Sequence, residues 1–103
     1  MSEEHWDRKI HQRLLAGDVT APSELVDVIL PLLIKELEKK NPRFHDSELL
    51  NDAITDALIS YIKAPQQFDP VKLPLRKYLI MSAQRDFQNA LAKEKRRKSR
   101  EFT

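Results

Sequence analysis

Apolar and polar positions recur along most of this chain with a period of three to four residues, and the run is longest in its last third. There Leu75, Leu79, Ala83, Phe87 and Ala90-Leu91 follow one another at helical steps, with no Gly or Pro between Leu75 and Arg100. Such spacing places one apolar stripe along a helix. A second line on the same helix, Lys77, Met81, Gln84-Arg85, Gln88 and Lys95-Arg96, offers cations, amides and a thioether in place of a greasy face. Upstream, the stretch 4–16 reads as a short helix with Trp6, Ile10 and Leu14 at steps of four and Leu15 beside them. It is stopped by Gly17, the residue that takes the left-handed conformation without strain. Thr20 is the expected N-cap of the next helix, and Pro22 suits a first turn where a missing N–H costs nothing. That helix runs to about Lys40 on a band of Leu25, Val26, Ile29, Leu30, Leu33 and Leu37, with Lys35, Glu36, Lys39 and Lys40 as its solvated side. Pro31 lies inside the band, and because the apolar period continues in phase on both sides of it, a kink is expected rather than a break.

The stretch 41–45 is a connector, after which Asp46 or Ser47 is placed to cap a third helix ending near Lys63. Leu50, Ile54, Ala57, Leu58 and Tyr61 form its buried side, while Glu48, Asp52 and Asp56 line up at steps of four on another. Like charges at that spacing repel by a few tenths of a kcal/mol, about the reverse of an i,i+4 ion pair. The acid row therefore reads either as a docking strip for a basic partner or as a plain solvated side. From Ala64 to Pro74 the chain holds three prolines and no helical period. Each proline fixes φ, so this is a stiff loop, with Phe68 and Val71 expected to tuck down and Gln66, Gln67 and Lys72 to stay out. These periods predict an all-α fold: a compact bundle of three to four helices with a long basic C-terminal helix, one domain over 1–103 with a basic tail from about 93.

Composition narrows the function classes. The chain has 103 residues, one Gly and no Cys, so it can bury a single core and has neither a disulfide framework nor thiolate metal ligands. His5 and His11 sit six apart among charges, which is poor metal-ligand spacing, and no metal or cofactor is expected. The carboxylates have no matched base and there is no Gly-rich phosphate loop, so the expectation is a protein that is not an enzyme. No apolar run approaches the length of a bilayer span, and the charged MSEEHWDRK start carries no secretion signal, so the expected location is the cytoplasm, with no membrane partner. The net charge of +2 hides a division: residues 1–71 hold 8 Lys and Arg against 13 Asp and Glu, whereas residues 72–103 hold 10 against 3. Two faces of opposite sign suit two different partners. Helices commonly finish in a cation or two because of the macrodipole, but the KEKRRKSR end carries six cations against one Glu, which favours nucleic-acid contact.

Taken in order, LLAGD, a long helix, DSELLNDAITDALISYI, FDP and LRKYLIMSAQRDFQNALAKEKRRK resemble region 2 of bacterial RNA polymerase sigma factors, of the compact extracytoplasmic-function class. The likeness covers roughly residues 10–100. It rests on an acidic helix (Glu48 to Asp56), Phe68-Asp69-Pro70, Tyr78-Leu79, Ala83-Gln84-Arg85-Asp86 and the basic end from Lys93 to Arg100. The chain departs from the family's frequent residues in having Leu49 for a second acid, Asp52 for Gln and Tyr78 for Trp. The resemblance implies a domain that binds core RNA polymerase and recognises and melts the minus-ten promoter element. Glu48, Asp52 and Asp56 would then meet the clamp helices of the largest subunit. Gln66, Gln67, Lys72, Arg76, Lys77, Tyr78, Gln84, Arg85, Gln88 and Asn89 would face the non-template strand of promoter DNA, joined by Lys95 and Arg96 from the basic end. An anti-sigma factor is a further partner that the resemblance brings with it, and the chain is expected to be the N-terminal domain of a longer protein. Tyr78 clusters with Leu75 and Leu79 and reads first as core, and the same holds for Phe87. The rival reading is a helical protein–protein adaptor whose basic tail binds nucleic acid nonspecifically.

Overall fold

A computed structural model of the protein describes the backbone at 3–42 and 47–101, with side chains at 6–42 and 48–97. Among the described residues the chain forms four α-helices and no strand: α1 (Glu3–Leu15), α2 (Ala21–Lys40), α3 (Ser47–Lys63) and α4 (Leu75–Glu101), with a 3-10 turn at Pro65–Gln67 between the last two. The all-α bundle expected from the periodicity is the observed architecture. No helix among the described residues is long and apolar enough to cross a membrane.

Three helices run side by side. Glu36 reaches Arg76 and Asn41 reaches Gln84, so α2 and α4 point the same way. Tyr61 lies against Tyr78 near the opposite end of α3, so α3 runs antiparallel to them. The core holds most of the set that the spacing marks: Leu25, Ile29, Leu33 and Leu37 of α2, Leu50, Ile54, Ala57, Leu58 and Tyr61 of α3, and Leu75, Leu79, Ala83 and Phe87 of α4. Val26 and Leu30 are only half-buried, and Ala53 and Ile80 join the core. Each fully buried aliphatic or aromatic side chain here contributes roughly 1.5–3 kcal/mol by leaving water. At 27 residues α4 is the longest helix, and the molecule is elongated to 52 × 24 × 24 Å.

The shortest helix, α1, packs at one end against α2, the 3-10 turn and α4, with Ile10 and Leu14 inserted into the core. It stops as its sequence demands. Gly17 takes φ +79, its N–H donates to the Leu14 carbonyl at 3.1 Å, and the Asp18 N–H reaches the Arg13 carbonyl at 2.9 Å. That pair of bonds satisfies two of the carbonyls that the end of the helix leaves free.

Four local expectations need correction. Thr20 occupies the N-cap position of α2 as expected, but its side chain makes no cap: its N–H and its hydroxyl both donate to Asp18 Oδ1, at 2.9 and 2.8 Å. The carboxylate is the stronger acceptor and holds the hydroxyl away from the helix. Leu15 is about half exposed, one residue round from the buried Leu14. Val71 is 90% exposed rather than tucked down; Phe68 is the loop side chain buried beneath, with Leu73 packed partly against the core. His11 is not among solvated charges but 4% exposed, inside an aromatic cluster. As for Pro31, α2 continues unbroken through it, with the ring on the exposed side. The proposed caps Asp46 and Ser47, part of the 41–45 connector and His5 fall outside the described residues or side chains.

Candidate nucleic-acid interface

The loop 64–74 is held from below by aromatic contacts. Phe68 is buried, its ring 5.1 Å from His11, 6.0 Å from Tyr61 and 4.9 Å from Tyr78 between centroids. Edge-to-face and tilted pairs at such distances add about 0.5–1.5 kcal/mol each beyond area burial. The Tyr61 hydroxyl sits 2.7 Å from His11 Nδ1, so both buried polar groups are satisfied. Burial pushes the Tyr61 hydroxyl well above the usual phenol range, with the nearby charge of Asp7 and then Tyr78 adding to it. Burial also lowers His11 below its ordinary 6.5, favouring the neutral imidazole. Tyr78 is thereby part of the packing: half-buried, it braces Phe68 rather than standing open for a base.

On this floor the loop presents Gln66, Gln67 and Lys72, all exposed as expected. The Asp69 carboxylate accepts the Val71 N–H at 2.9 Å and the Asp69 carbonyl accepts the Lys72 N–H at 3.2 Å, which closes the turn between Pro70 and Pro74. Between the loop and α1 lies a concavity of about 270 Å³ bordered by Asp7, Arg8, Phe68, Lys72 and Leu75. Arg8 was not singled out by its sequence, yet it borders the same hollow as Lys72.

Beyond the loop, α4 sorts the remaining candidates. Lys77, Arg85, Gln88, Lys95 and Arg96 stay exposed. At about 100° per residue they lie within roughly a quarter of the helix circumference of one another. Met81 is on the same side, 63% exposed. Other candidates are already engaged. Gln84 is half-buried and exchanges two hydrogen bonds with Asn41 just past α2: Asn41 Nδ2 donates to Gln84 Oε1 at 2.9 Å, and Gln84 Nε2 donates to Asn41 Oδ1 at 3.2 Å. Arg76 is half-buried and lies 3.3 Å from Glu36. Asn89 is exposed and also borders a groove of about 440 Å³ toward α3, with Asp56, Ile59, Asp86 and Lys93. In that groove burial raises the Asp86 carboxyl above its ordinary 3.8, Arg85 opposing the shift and Asp56 adding to it.

The acid row of α3 is where the spacing puts it. Glu48, Asp52 and Asp56 are all exposed, though Asp56 leans on the groove beside Asp86. The molecule therefore carries one acidic and one basic side, on adjacent helices. Among the described residues no group of three or more His, Cys, Asp or Glu could hold a metal ion.

Two buried polar residues escaped the sequence pattern, Asp7 and His11, respectively 7% and 4% exposed. With Ile10 and Leu14 they fall at steps of three and four, and that shared spacing was the available signal. Comparison of the chain with family models, with curated proteins and with solved structures finds no match.

Proposed function

We propose that this chain is a promoter-binding domain of the sigma-factor region 2 type. In this reading the acids of α3 dock on a basic helical surface of core RNA polymerase, while the stiff loop and the open side of α4 hold the separated non-template strand of the minus-ten element. The observation that supports it best is electrostatic. The first turn of α4 contains no acid of its own and instead carries Arg76 and Lys77, at the positive end of the macrodipole. Cations there oppose the helix by about 0.3–1 kcal/mol each. Arg76 is paired with Glu36 and the helix start is capped by Asp7, so the exposed Lys77 is the cation presented at the mouth of the loop, where a phosphate would meet it.

The division of labour follows from the chemistry. Lys77, Arg85, Lys95 and Arg96 lie along one side of the rod, as a phosphate backbone requires. Between them Met81 and Gln88 offer an apolar surface and an amide to unstacked bases. Taking a base out of the stack costs a few kcal/mol, and a loop braced by Pro65, Pro70, Pro74 and the buried Phe68 loses little further entropy in repaying it. Gln84 and Tyr78 support this surface by packing, not by contact with the strand.

The test has two arms. Labelled single-stranded DNA of minus-ten type should bind with a base preference. Lys77→Glu with Arg85→Glu should abolish that binding while helical circular dichroism stays unchanged. In the second arm, recovery of the polymerase clamp fragment should fall when Asp52 and Asp56 are changed to Lys. Nonspecific binding indifferent to Lys77 and Arg85 would instead indicate the adaptor with a basic tail, and equal recovery of the acid-row variant would refute docking there.

A further inference from the structure

A buried carboxylate at the loop end of the bundle, Asp7, belongs to α1, which carries none of the strand-facing candidates. Asp7 Oδ2 accepts the Leu75 N–H at 3.0 Å, across 68 residues of chain. Leu75 is the first residue of α4, so this N–H is one of the donors that a helix start leaves without an internal partner. Pro74 immediately before it removes any N–H there and supplies no capping side chain, and no acid follows in the first turn. Asp7 thus supplies from another helix both the missing cap and the negative charge that the first turn of α4 lacks. One turn further along α1, His11 contacts Phe68 and bonds Tyr61. The same face of α1 therefore fixes the floor of the loop and the point where the loop becomes α4, and Asp7 also borders the hollow between them.

We infer that Asp7 is a positioning residue for strand binding: from α1 it holds the loop 64–74 and the first turn of α4 in register, so that Lys72 and Lys77 meet one strand together. The inference rests on the promoter-binding reading above and extends it to a helix which that reading leaves idle. A carboxylate cap on a buried N–H fixes the direction in which α4 leaves the loop. Without it the first turn of α4 loses the hydrogen bond that Asp7 gives it from α1, while the core below, built on Phe87, Ala83 and Leu79, is untouched.

The experiment compares wild type, Asp7→Asn and Asp7→Leu by amide hydrogen exchange and by affinity for the same single-stranded oligonucleotide, at a temperature where all are folded by circular dichroism. Asp7→Asn keeps an acceptor oxygen of the same shape without the charge. Asp7→Leu removes the acceptor. The expected result for Asp7→Leu is faster exchange confined to about 65–79, with strand affinity weakened about tenfold or more, the scale of one hydrogen bond to a charged group. Asp7→Asn should recover most of that loss. If Asp7→Leu does not fold, the Asp7→Asn variant still decides: it should show a smaller, local acceleration over the same residues. Exchange at 65–79 unchanged in whichever variants fold would overturn the inference, as would accelerated exchange with affinity fully retained. A wild-type chain that binds no strand would refute the promoter reading instead, leaving the exchange comparison to judge Asp7's hold on the loop.

Discussion

The two halves of α4 share a sequence period and an excess of cations, but their surroundings differ. From Leu75 to Phe87 every fourth residue reaches zero exposure, enclosed by α2, α3 and α1. Beyond Phe87 the same period continues through Ala90 and Leu91, yet both are only half-buried, and Lys93, Lys95, Arg96 and Arg97 are exposed. The change follows from the neighbours. α2 ends at Lys40, with Asn41 already opposite Gln84, so the later turns of α4 have no α2 beside them. A helical period marks the side that would be buried, and the length of the adjacent helix decides whether it is. The later half persists as helix through good helix-forming residues and local pairs such as Arg97 with Glu94.

The strongest way to break this comparison is to truncate one apolar side chain in each half. Phe87→Ala should cost about 3–5 kcal/mol in denaturant unfolding, enough to endanger the fold, whereas Leu91→Ala should cost below about 1.5 kcal/mol. Similar losses at both positions would mean that the later half is as enclosed as the first.

A smaller effect separates the enclosed end by pH. His11 is lowered by burial below 6.5, so within that window the unfolded chain binds more protons than the folded one, and stability rises with pH. Its contribution is therefore complete above 6.5 and is lost as pH falls through the folded value. Denaturation midpoints measured across that range should fall on acidification in the wild type, and more steeply than in His11→Gln. Parallel curves would remove His11 as the cause. The smallest expected change lies at the junction of the halves. Because burial and Asp56 disfavour the charged Asp86, Asp86→Asn should raise the midpoint slightly, by less than about 1 kcal/mol after solvent screening. A fall would show that Arg85 holds Asp86 more firmly than the groove repels it.

Much of the fold was legible in advance because it is written in local spacing. The stripes of α2, α3 and α4 name their own buried residues, and Gly17 names the end of α1. What escaped depended on partners distant in sequence. Asp7 looks like one charge among several in the N-terminal run until Leu75 is brought to it, and His11 looks solvated until Tyr61 and Phe68 close over it. Gln84 carries the residue type and spacing of a strand-reading amide, and only the meeting with Asn41 shows that one donor and one acceptor of that amide are taken up within the fold. Val71 was misjudged because a loop between prolines has no period from which to read a buried side. The exposed side of α4 was legible for the opposite reason: nothing folds over Lys77, Arg85 or Lys95, so the sequence pattern survives as surface.

The account turns on that side of α4 holding an opened strand through its phosphates. Affinity for a single-stranded promoter oligonucleotide, measured across a series of salt concentrations, tests this directly. The logarithm of the binding constant should fall linearly with the logarithm of salt, at about −0.7 per phosphate engaged, and Lys77→Ala with Arg85→Ala should make the slope shallower by about 1.4. A slope identical in wild type and double variant, with both folded, would contradict the account.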